Sequence, residues 1–422
     1  MPAEQTGIVR ENYLWKVLLR RGASKDGVYI HIPSGVYDQD LFSIIYAPIL
    51  RALSFIFDKA EDPLIYKRAL KGFEQCAFIS YHFNMTSNLD MIIVMLVKYT
   101  LLNNLSKRNT LAVQFGSSVR AQLALRMIFQ LVHQHGDNLR ESWKNIFELI
   151  LTLYSMNLLP KSYVEMEDFI EPSGKITLVY KDIQGVQKQE SGLFSSLYSY
   201  MISSENLSKI PTAEEQEYMD IAKRCTKECN LDQIVTDSKF LHEDSLVELV
   251  KALIELSRGP DVQQSLGYVY NESVTVFFLE LLVRIVIQNR DRVTVIWQSV
   301  RDHLYTLVMN AAVFDYQFLL ERSVIDLLRL AIRLMRNEEM SPIVLQSLRM
   351  LLLLKNSTLF RVSRQISFGL YELLKTSAQN IHTNSDWSII FTLLECVGAG
   401  AQPPKPITDE SQTDQGKRVS LC

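Results

Sequence analysis

Apolar residues recur with the period of an α-helix through most of this chain. Positions i, i+3, i+4 and i+7 are apolar in stretches such as 40–57, 118–134 and 318–335, which places one apolar stripe along each helix. Strand-like alternation is scarce, and KITLVYK at 175–181 is its best candidate. The pattern therefore predicts an all-α fold.

The connections between the predicted helices are short. Proline and glycine stand at these joints, as in AEDP (60–63), HGD (135–137) and EEMSP (338–342), where helices commonly end and begin. Short connections make consecutive helices antiparallel neighbours, and a single hairpin cannot bury its apolar face without another hairpin beside it. We therefore expect a HEAT- or armadillo-like α-solenoid.

A tryptophan motif recurs along the chain and supports this expectation. The stretches at 133–154 and 287–308 both read Gln, two residues, Asp, five residues, Trp, so that Asp137 and Trp143 correspond to Asp291 and Trp297. A third, partial copy begins at Trp387. The three tryptophans are 154 and 90 residues apart, and 90 is twice a helical-repeat period of about 40–47 residues. We expect all three tryptophans to be buried.

The first copy, HQHGDNLRESWKNIFELILTLY, is interpreted as a helix–turn–helix joint. Gly136 can adopt the left-handed conformation that ends a helix, and Asn138 with Glu141 matches a capping box for the next helix. Asp137 adds negative charge at that helix N-terminus, and Asp291 can cap the helix of the second copy. The expected apolar faces comprise Trp143, Ile146, Phe147, Ile150, Leu151 and Tyr154 in the first copy, and Trp297, Val300, Leu304, Tyr305 and Val308 in the second.

Composition limits the class of protein. The 422 residues are 47% apolar with a net charge of −3, so the chain can bury large cores and has no bulk basic character for nucleic-acid binding. Five irregularly spaced cysteines fit a reducing compartment. No signal peptide opens the sequence, and the longest unbroken apolar runs, such as 91–97, are too short for a bilayer span. We expect a cytoplasmic protein, with contact to a membrane surface left open.

No residue pattern selects a reaction centre. His133 and His135 are two residues apart and do not share a helix face, whereas Cys225 and Cys229 could share one but have no further metal ligands nearby. The phosphate-binding, dinucleotide-binding and nucleophile-elbow glycine motifs are all missing from the sequence. We therefore predict no catalytic residue, no metal ligand and no cofactor.

The helical pattern lapses once, which divides the chain into predicted regions. These are a first helical-repeat region at 1–170, an irregular linker at 171–215, a second helical-repeat region at 216–401 and a disordered tail at 402–422. Within the linker, one helical face would be apolar and the opposite face mostly serine, a pattern suited either to insertion into loosely packed lipid or to docking on the solenoid. The residues of this candidate membrane contact are Leu193, Phe194, Leu197, Tyr198 and Met201.

Several long phrases resemble one protein family. MPAEQTGIVRENYLWKVLLRRG (1–22) resembles the segment that directly follows the catalytic Sec-seven domain in large Arf guanine-nucleotide exchange factors of the Golgi brefeldin A-resistance type. The phrase at 52–83 is similar to the first region downstream of that domain, and the phrase at 286–305 is similar to the second. The resemblance covers about residues 1–401.

The resemblance implies a role without catalysis by this chain. In the family the Sec-seven domain performs nucleotide exchange, and no part of this sequence resembles it, so no catalytic residue carries over. The chain is expected to be a fragment, a shortened isoform or an incomplete gene model. The implied function is a regulatory, membrane-associating helical-repeat part of a Golgi Arf exchange factor, peripheral on Golgi or cis-Golgi membranes and acting in transport between endoplasmic reticulum and Golgi. The implied partners are Arf through the missing exchange domain, other proteins and a membrane surface, but no nucleic acid. A protein-interaction scaffold without lipid contact is the alternative.

Overall fold

The computed structural model describes residues 35–102, 108–180, 212–260 and 270–398, together with isolated positions between 13 and 23. By its internal contacts the chain divides into two units, Met1–Phe55 and Ile56–Cys422. The region boundaries drawn at 170 and 215 from the sequence stay a prediction. The tail at 402–422 and the candidate membrane contact at 193–201 lie outside the described residues.

Helices dominate the described residues, and the predicted all-α class is confirmed. The first part contains α1 (Asp38–Lys59), α2 (Pro63–His82), α3 (Thr86–Tyr99), α4 (Arg108–Ser117), α5 (Val119–His135), α6 (Ser142–Ser155) and the short α7 (Lys161–Val164). The second part contains α8 (Ala213–Glu228), α9 (Asp232–Asp237), α10 (Glu243–Leu256), α11 (Glu272–Gln288), α12 (Thr294–Val313), α13 (Gln317–Leu334), α14 (Met340–Leu348), α15 (Asn356–Arg361), α16 (Ser363–Ser377) and α17 (Asn384–Gly398).

Local sequence determines several helix starts. Asp62 accepts a hydrogen bond from the Leu64 amide at 2.8 Å in front of Pro63, the first residue of α2. Thr212 and Glu215 form a complete capping box at the start of α8, in which each side chain accepts from the other residue's backbone N–H. These starts follow directly from the order of residues, because cap and helix lie within one turn of each other.

Within the unit Ile56–Cys422 the helices stack in two rows. In one row α2, α5, α9, α11, α13 and α16 each pack against the next. In the other row α3, α6, α10 and α12 pack in succession, and α14 packs against α17. Contacts of α3 with α5, α10 with α11, α12 with α13 and α16 with α17 join the rows. This arrangement is the predicted HEAT- or armadillo-like α-solenoid.

The repeat is most regular in the second half of the chain. Helices α9, α11, α13 and α16 begin at residues 232, 272, 317 and 363, so successive hairpins start 40, 45 and 46 residues apart. These intervals match the period of HEAT and armadillo repeats. Trp297 and Trp387 lie on α12 and α17, and α14 is the second-row helix between them in sequence, which accounts for their separation by two periods.

A short β-hairpin interrupts the helices after α7. Strand β1 (Glu165–Glu167) pairs antiparallel with β2 (Lys175–Thr177), and Met166 lies opposite Ile176. The strand candidate at 175–181 is thus confirmed in its first three residues. Met166 is buried, whereas Lys175 and Thr177 on the partner strand are exposed.

Candidate functional surfaces

The first tryptophan joint is held together by an aspartate from another helix. Helix α6 begins at Ser142, and the buried carboxylate of Asp90 on α3 accepts hydrogen bonds from the amides of Arg140, Glu141 and Ser142 at 3.1–3.2 Å and from the Ser142 hydroxyl at 2.5 Å. Asp90 therefore binds the free N–H groups of the helix N-terminus, where negative charge is also favoured. Asp90 thereby joins α3 to the start of α6.

Two predictions about this joint are wrong. The capping box of Asn138 and Glu141 does not form, because Asp90 already occupies the helix N-terminus and the Asn138 amide instead donates to the Tyr81 carbonyl at 3.3 Å. Gly136 has φ −52 and is right-handed, so it does not end α5 in the left-handed conformation. A Cβ at Gly136 would lie 3.3 Å from the Leu241 side chain, so close packing is what favours glycine there.

Asp137 stabilises a different helix from the one predicted. Its carboxylate accepts a hydrogen bond of 2.7 Å from the amide of His242, the residue that precedes α10. The Asp137 carbonyl accepts from the Ser245 hydroxyl at 2.5 Å and from the Arg140 guanidinium at 2.6 Å. The first tryptophan joint is thereby fastened to the start of α10, more than 100 residues later in the chain.

The second tryptophan joint is fastened to the same turn by different residues. Arg292 donates to the carbonyls of Ser238, at 2.8 Å, and of Leu241, and the Asn289 amide donates to the Ser238 hydroxyl at 2.8 Å. Asp291 does not cap α12 as predicted: its side chain is 95% exposed and its ion pair is with the adjacent Arg290 at 3.8 Å. The turn between α9 and α10 is thus bound by both joints.

Burial of the tryptophans agrees with the prediction at two positions of three. Trp143 and Trp297 are buried, as are the other apolar residues expected on the two faces apart from Tyr305, which is 44% exposed. Trp387 is only half-buried, so the expectation of a third buried tryptophan is wrong. Among the described helices its helix, α17, packs on α16 and α14 but has no further hairpin beyond it.

The histidine and cysteine candidates are all accounted for by packing. His133 Nε2 lies 3.0 Å from the Cys229 carbonyl oxygen, and the buried His135 ring packs at a tilt against the Tyr81 ring, with 4.7 Å between ring centroids. Burial lowers the pKa of His135 and thereby favours its neutral form. Cys225 lies in the last turn of α8 and Cys229 directly follows that helix, and both are buried. Within the part of the chain that the structure describes, no three His, Cys, Asp or Glu side chains could hold a metal ion together.

A buried ionic cluster between α11 and α13 was not singled out from the sequence. Arg329 pairs with Glu280 at 2.6 Å and with Asp326 at 2.7 Å, and all three are almost completely buried. Burial opposes ionisation of Glu280, but Arg329 and Arg284 hold its pKa below the ordinary value. For Asp326 burial dominates and raises the pKa, which the attraction of Arg329 only partly offsets.

Arginine side chains of α11 and α13, the two helices of this cluster, also bind the β-hairpin and the short helix before it. Arg284 donates to the carbonyls of Ser162, at 2.8 Å, and of Glu165. Arg322 donates to the Glu167 carbonyl at 2.8 Å and pairs with the Asp168 carboxylate at 3.0 Å. A sequence signal existed in the charged residues of α13, which recur at 322, 326, 329 and 333 on one helix face, but such a pattern is more common on a solvated face.

Helix α1 carries apolar residues on two sides. Phe42, Tyr46 and Leu50 are buried, whereas Leu41, Ile44, Ile45 and Phe55 are exposed, Ile44 to 72% and Phe55 to 67%. We call these four exposed residues the α1 stripe. By length and composition α1 is the one described helix that could cross a membrane, with a mean hydropathy of 1.6. Unbroken apolar runs did not reveal it because Ser43, Arg51 and Ser54 interrupt the run.

Comparison with known proteins identifies the family. The chain is 38% identical to the Golgi-specific brefeldin A-resistance guanine nucleotide exchange factor 1 homolog of Caenorhabditis elegans, over 96% of the chain and 22% of that protein. It is 30% identical to the ARF guanine-nucleotide exchange factor GNOM of Arabidopsis thaliana, over 90% of the chain and 27% of that protein. The chain belongs to the large Arf guanine-nucleotide exchange factors of the Golgi brefeldin A-resistance type.

The similarity to these Arf exchange factors extends along nearly all of the chain but over only part of each relative. The chain spans about a quarter of the length of the curated relatives it matches. ADP-ribosylation factor guanine nucleotide-exchange factor sec71 of Schizosaccharomyces pombe is more distant, at 22% identity over 84% of the chain. No family model matches the chain. The tryptophan joints and the ionic cluster therefore belong to a helical-repeat region of an Arf exchange factor.

Proposed function

We propose that this chain is a non-catalytic, regulatory and membrane-associating helical-repeat part of a Golgi Arf exchange factor. It supports Arf activation and vesicle transport between endoplasmic reticulum and Golgi, with Arf engaged by the exchange domain of the parent protein. Three findings support this: the membership of the family, the α-solenoid architecture, and the hydrogen bonds by which Asp90 and His133 hold helices of the first joint together.

The observation that carries the membrane role is the α1 stripe. A 22-residue helix presents exposed isoleucine, leucine and phenylalanine on the side opposite its buried residues, and no acidic side chain lies among the four stripe positions. Apolar side chains on one face of a helix bind the interface between headgroups and acyl chains when the helix lies in the plane of the membrane. The stripe adds a second candidate contact to the segment at 193–201, which stays a prediction.

Flotation with liposomes of phosphatidylcholine and phosphatidylserine tests the membrane role. We expect Ile44→Glu with Phe55→Glu to reduce the floated fraction several-fold, because charged side chains oppose insertion of the stripe. The matched control is Phe240→Glu with Val313→Glu, two apolar side chains that are 72% and 75% exposed on other helices or turns. A charged triple variant at Leu193, Phe194 and Leu197 tests the linker segment separately. Equal flotation of all four proteins contradicts direct lipid contact.

A second candidate function is a protein-interaction scaffold that touches no lipid. Four aromatic side chains on α15, α16 and α17 favour it, because large aromatic residues are enriched in protein interfaces: Phe360, Phe368, Tyr371 and Phe391, which are 46–59% exposed. A pull-down with the chain tests this function. It is favoured if a specific partner is recovered, if Phe368→Ser with Tyr371→Ser abolishes that recovery, and if the chain does not float with liposomes. For either function we expect the chain alone not to accelerate nucleotide release from purified Arf.

A further inference from the structure

Strand β1 pairs with β2, and arginine side chains of α11 and α13 also bind its backbone. Arg284 on α11 and Arg322 on α13 donate to three backbone carbonyls: those of Glu165 and Glu167 in β1, and that of Ser162 in the preceding short helix α7. Recognition of backbone carbonyls does not depend on the side chains of the bound segment. The helices therefore provide a binding surface for an extended chain, with spacing set by two successive helical repeats.

The charges of the strand complement those of the helices. We call Arg284, Arg322, Arg329 and Arg333 the arginine row; Glu280 and Asp326 on the same helices leave it with two uncompensated positive charges. The strand supplies two carboxylates: Asp168 pairs with Arg322 at 3.0 Å, and Glu167 lies 3.5 Å from Arg329 and 3.4 Å from Arg333. A segment that replaced the strand would therefore need to be extended and to carry two acidic groups.

The strand has little stability of its own. Its hairpin has three residue pairs, and an isolated two-stranded hairpin is marginal in water. Its ion pairs are also unequal, because the Asp168 pair is almost buried whereas Glu167 keeps 45% of its side chain exposed at contact distances of 3.4–3.5 Å. The buried side chains of Tyr163 and Met166 anchor the segment on either side of Glu165. Binding of the strand thus depends on the helices, as binding of a separate peptide would.

We propose that the arginine row is a groove for an extended acidic peptide, which this chain fills with its own segment Glu165–Asp168, made of strand β1 and the residue after it. An acidic segment of a partner protein binds by displacing the strand, so the strand acts as an intramolecular competitor. The recognised chemistry is an extended backbone with an aromatic and an aliphatic anchor followed by two adjacent carboxylates. This site is separate from the membrane contact and does not depend on it.

Binding of a synthetic peptide to the full chain tests the proposal. The probe is fluorescently labelled KSYVEMEDFIE, the sequence of residues 161–171, measured by fluorescence polarisation. We expect it to bind the variant Glu167→Gln with Asp168→Asn at least about tenfold more tightly than the unmodified chain. The apparent affinity is proportional to the fraction of molecules whose groove is open, and the bound strand reduces that fraction in the unmodified chain. A probe in which the same two acidic residues are amides should not bind. Adding Arg333→Gln to the double variant should weaken binding of the acidic probe again.

The control variant is Glu171→Gln, an exposed carboxylate on the same hairpin for which the structure describes no ion pair. It should bind the probe as weakly as the unmodified chain. Hydrogen exchange then separates release of the strand from unfolding: amides of 165–168 and 175–177 should exchange faster in the double variant, and those of α11 and α13 should not. The single variant Glu167→Gln, at the more exposed site, provides the same comparison if the double variant does not fold.

Three results would overturn the proposal. One is a released strand, seen by faster exchange, in a variant that still does not bind the acidic probe, since the groove would then have no affinity for a separate peptide. Another is unchanged exchange of the strand in both variants, since the carboxylates would then not hold it. Equal binding of the acidic and amidated probes would show that the arginine row does not select charge and would also contradict it.

Discussion

The first and third tryptophan joints have the same local geometry and different surroundings. Trp143 stacks on Phe147 with 5.8 Å between ring centroids and 23° between ring planes, and Trp387 stacks on Phe391 with 5.6 Å and 23°. Phe147 is 1% exposed, however, whereas Phe391 is 59% exposed. Helix α6 lies between α3 and α10 in its row, and α17 has α14 as its described row neighbour. The i, i+4 spacing sets the ring stack, and the neighbouring repeats decide whether the stack is buried.

The largest expected difference between the joints comes from removing each indole. Trp143→Ala should lower the free energy of unfolding by about 3–5 kcal/mol, because a large side chain leaves a cavity that α3, α6 and α10 cannot fill. Trp387→Ala should cost only about 1 kcal/mol, the centre of the range for single substitutions, because Trp387 is only half-buried. Chemical denaturation of both variants measures the two values. Equal losses would show that burial by neighbouring repeats is not the cause of the difference.

The N-termini of α6 and α17 also differ: α17 is capped by its own neighbouring residue, whereas α6 is capped by a residue of another helix. Helix α17 is capped locally: Thr383, the residue before it, accepts a 3.1 Å hydrogen bond from the Asp386 amide and donates to the Asp386 carboxylate at 2.6 Å. Helix α6 is capped by Asp90, which is 50 residues away from Arg140 in sequence. Thr383→Ala should cost about 1 kcal/mol, as for an ordinary N-cap.

Asp90→Ala should cost more, about 2–3 kcal/mol, because it leaves three helix N-terminal N–H groups, one buried and two partly buried, and the buried Ser142 hydroxyl without this acceptor. Equilibrium denaturation checks the value, and Asp291→Ala is the control: it occupies the position of Asp137 in the second motif but is solvent-exposed, so it should change stability by less than about 0.5 kcal/mol. An Asp90→Ala loss as small as that of Asp291→Ala would mean that other donors and acceptors hold the joint.

These joints also show how far the sequence predicts this fold. Helical periodicity and short connections are local properties, and they predicted the all-α class and the hairpins correctly. The cap at Thr383 and Asp386 could be found in the same way, because its members are three residues apart. The cap at Asp90 could not, since Asn138 and Glu141 offered a local alternative and only the packing of α3 against α6 brings Asp90 to the joint.

The ionic cluster escaped prediction for a related reason. A helix face with Arg322, Asp326 and Arg329 has the spacing of a solvated charged face, and only the approach of α11 and strand β1 buries it.

The spacing of the tryptophan motif predicted the repeat period only in part. The second half keeps 40–46 residues per hairpin, whereas the stretch between α6 and α9 adds the hairpin of β1 and β2 and further residues.

The second tryptophan helix has a titratable side chain at a buried position where the first has an apolar one. Six residues after the tryptophan, α6 has Leu149 and α12 has His303, and both are buried. Burial, together with the positive charge of Arg258, lowers the pKa of His303 to about 4, and its Nε2 lies 2.8 Å from the Ser257 hydroxyl. The folded chain therefore holds this imidazole neutral at a pH where the unfolded chain protonates it.

This difference predicts that α12, through His303, contributes a loss of stability on mild acidification that Leu149 at the same position of α6 cannot contribute. Below the unfolded pKa of about 6.5 the unfolded state binds a proton that the folded state excludes, so stability falls as pH decreases from about 6.5 towards 4. His303 should account for a loss of about 2 kcal/mol between pH 7 and pH 5. Unfolding curves of the unmodified chain and of His303→Gln at both pH values measure this contribution as the difference between the two pH dependences. If the variant keeps the full pH dependence, other groups are responsible, and the buried positions of the two tryptophan helices do not differ in this respect.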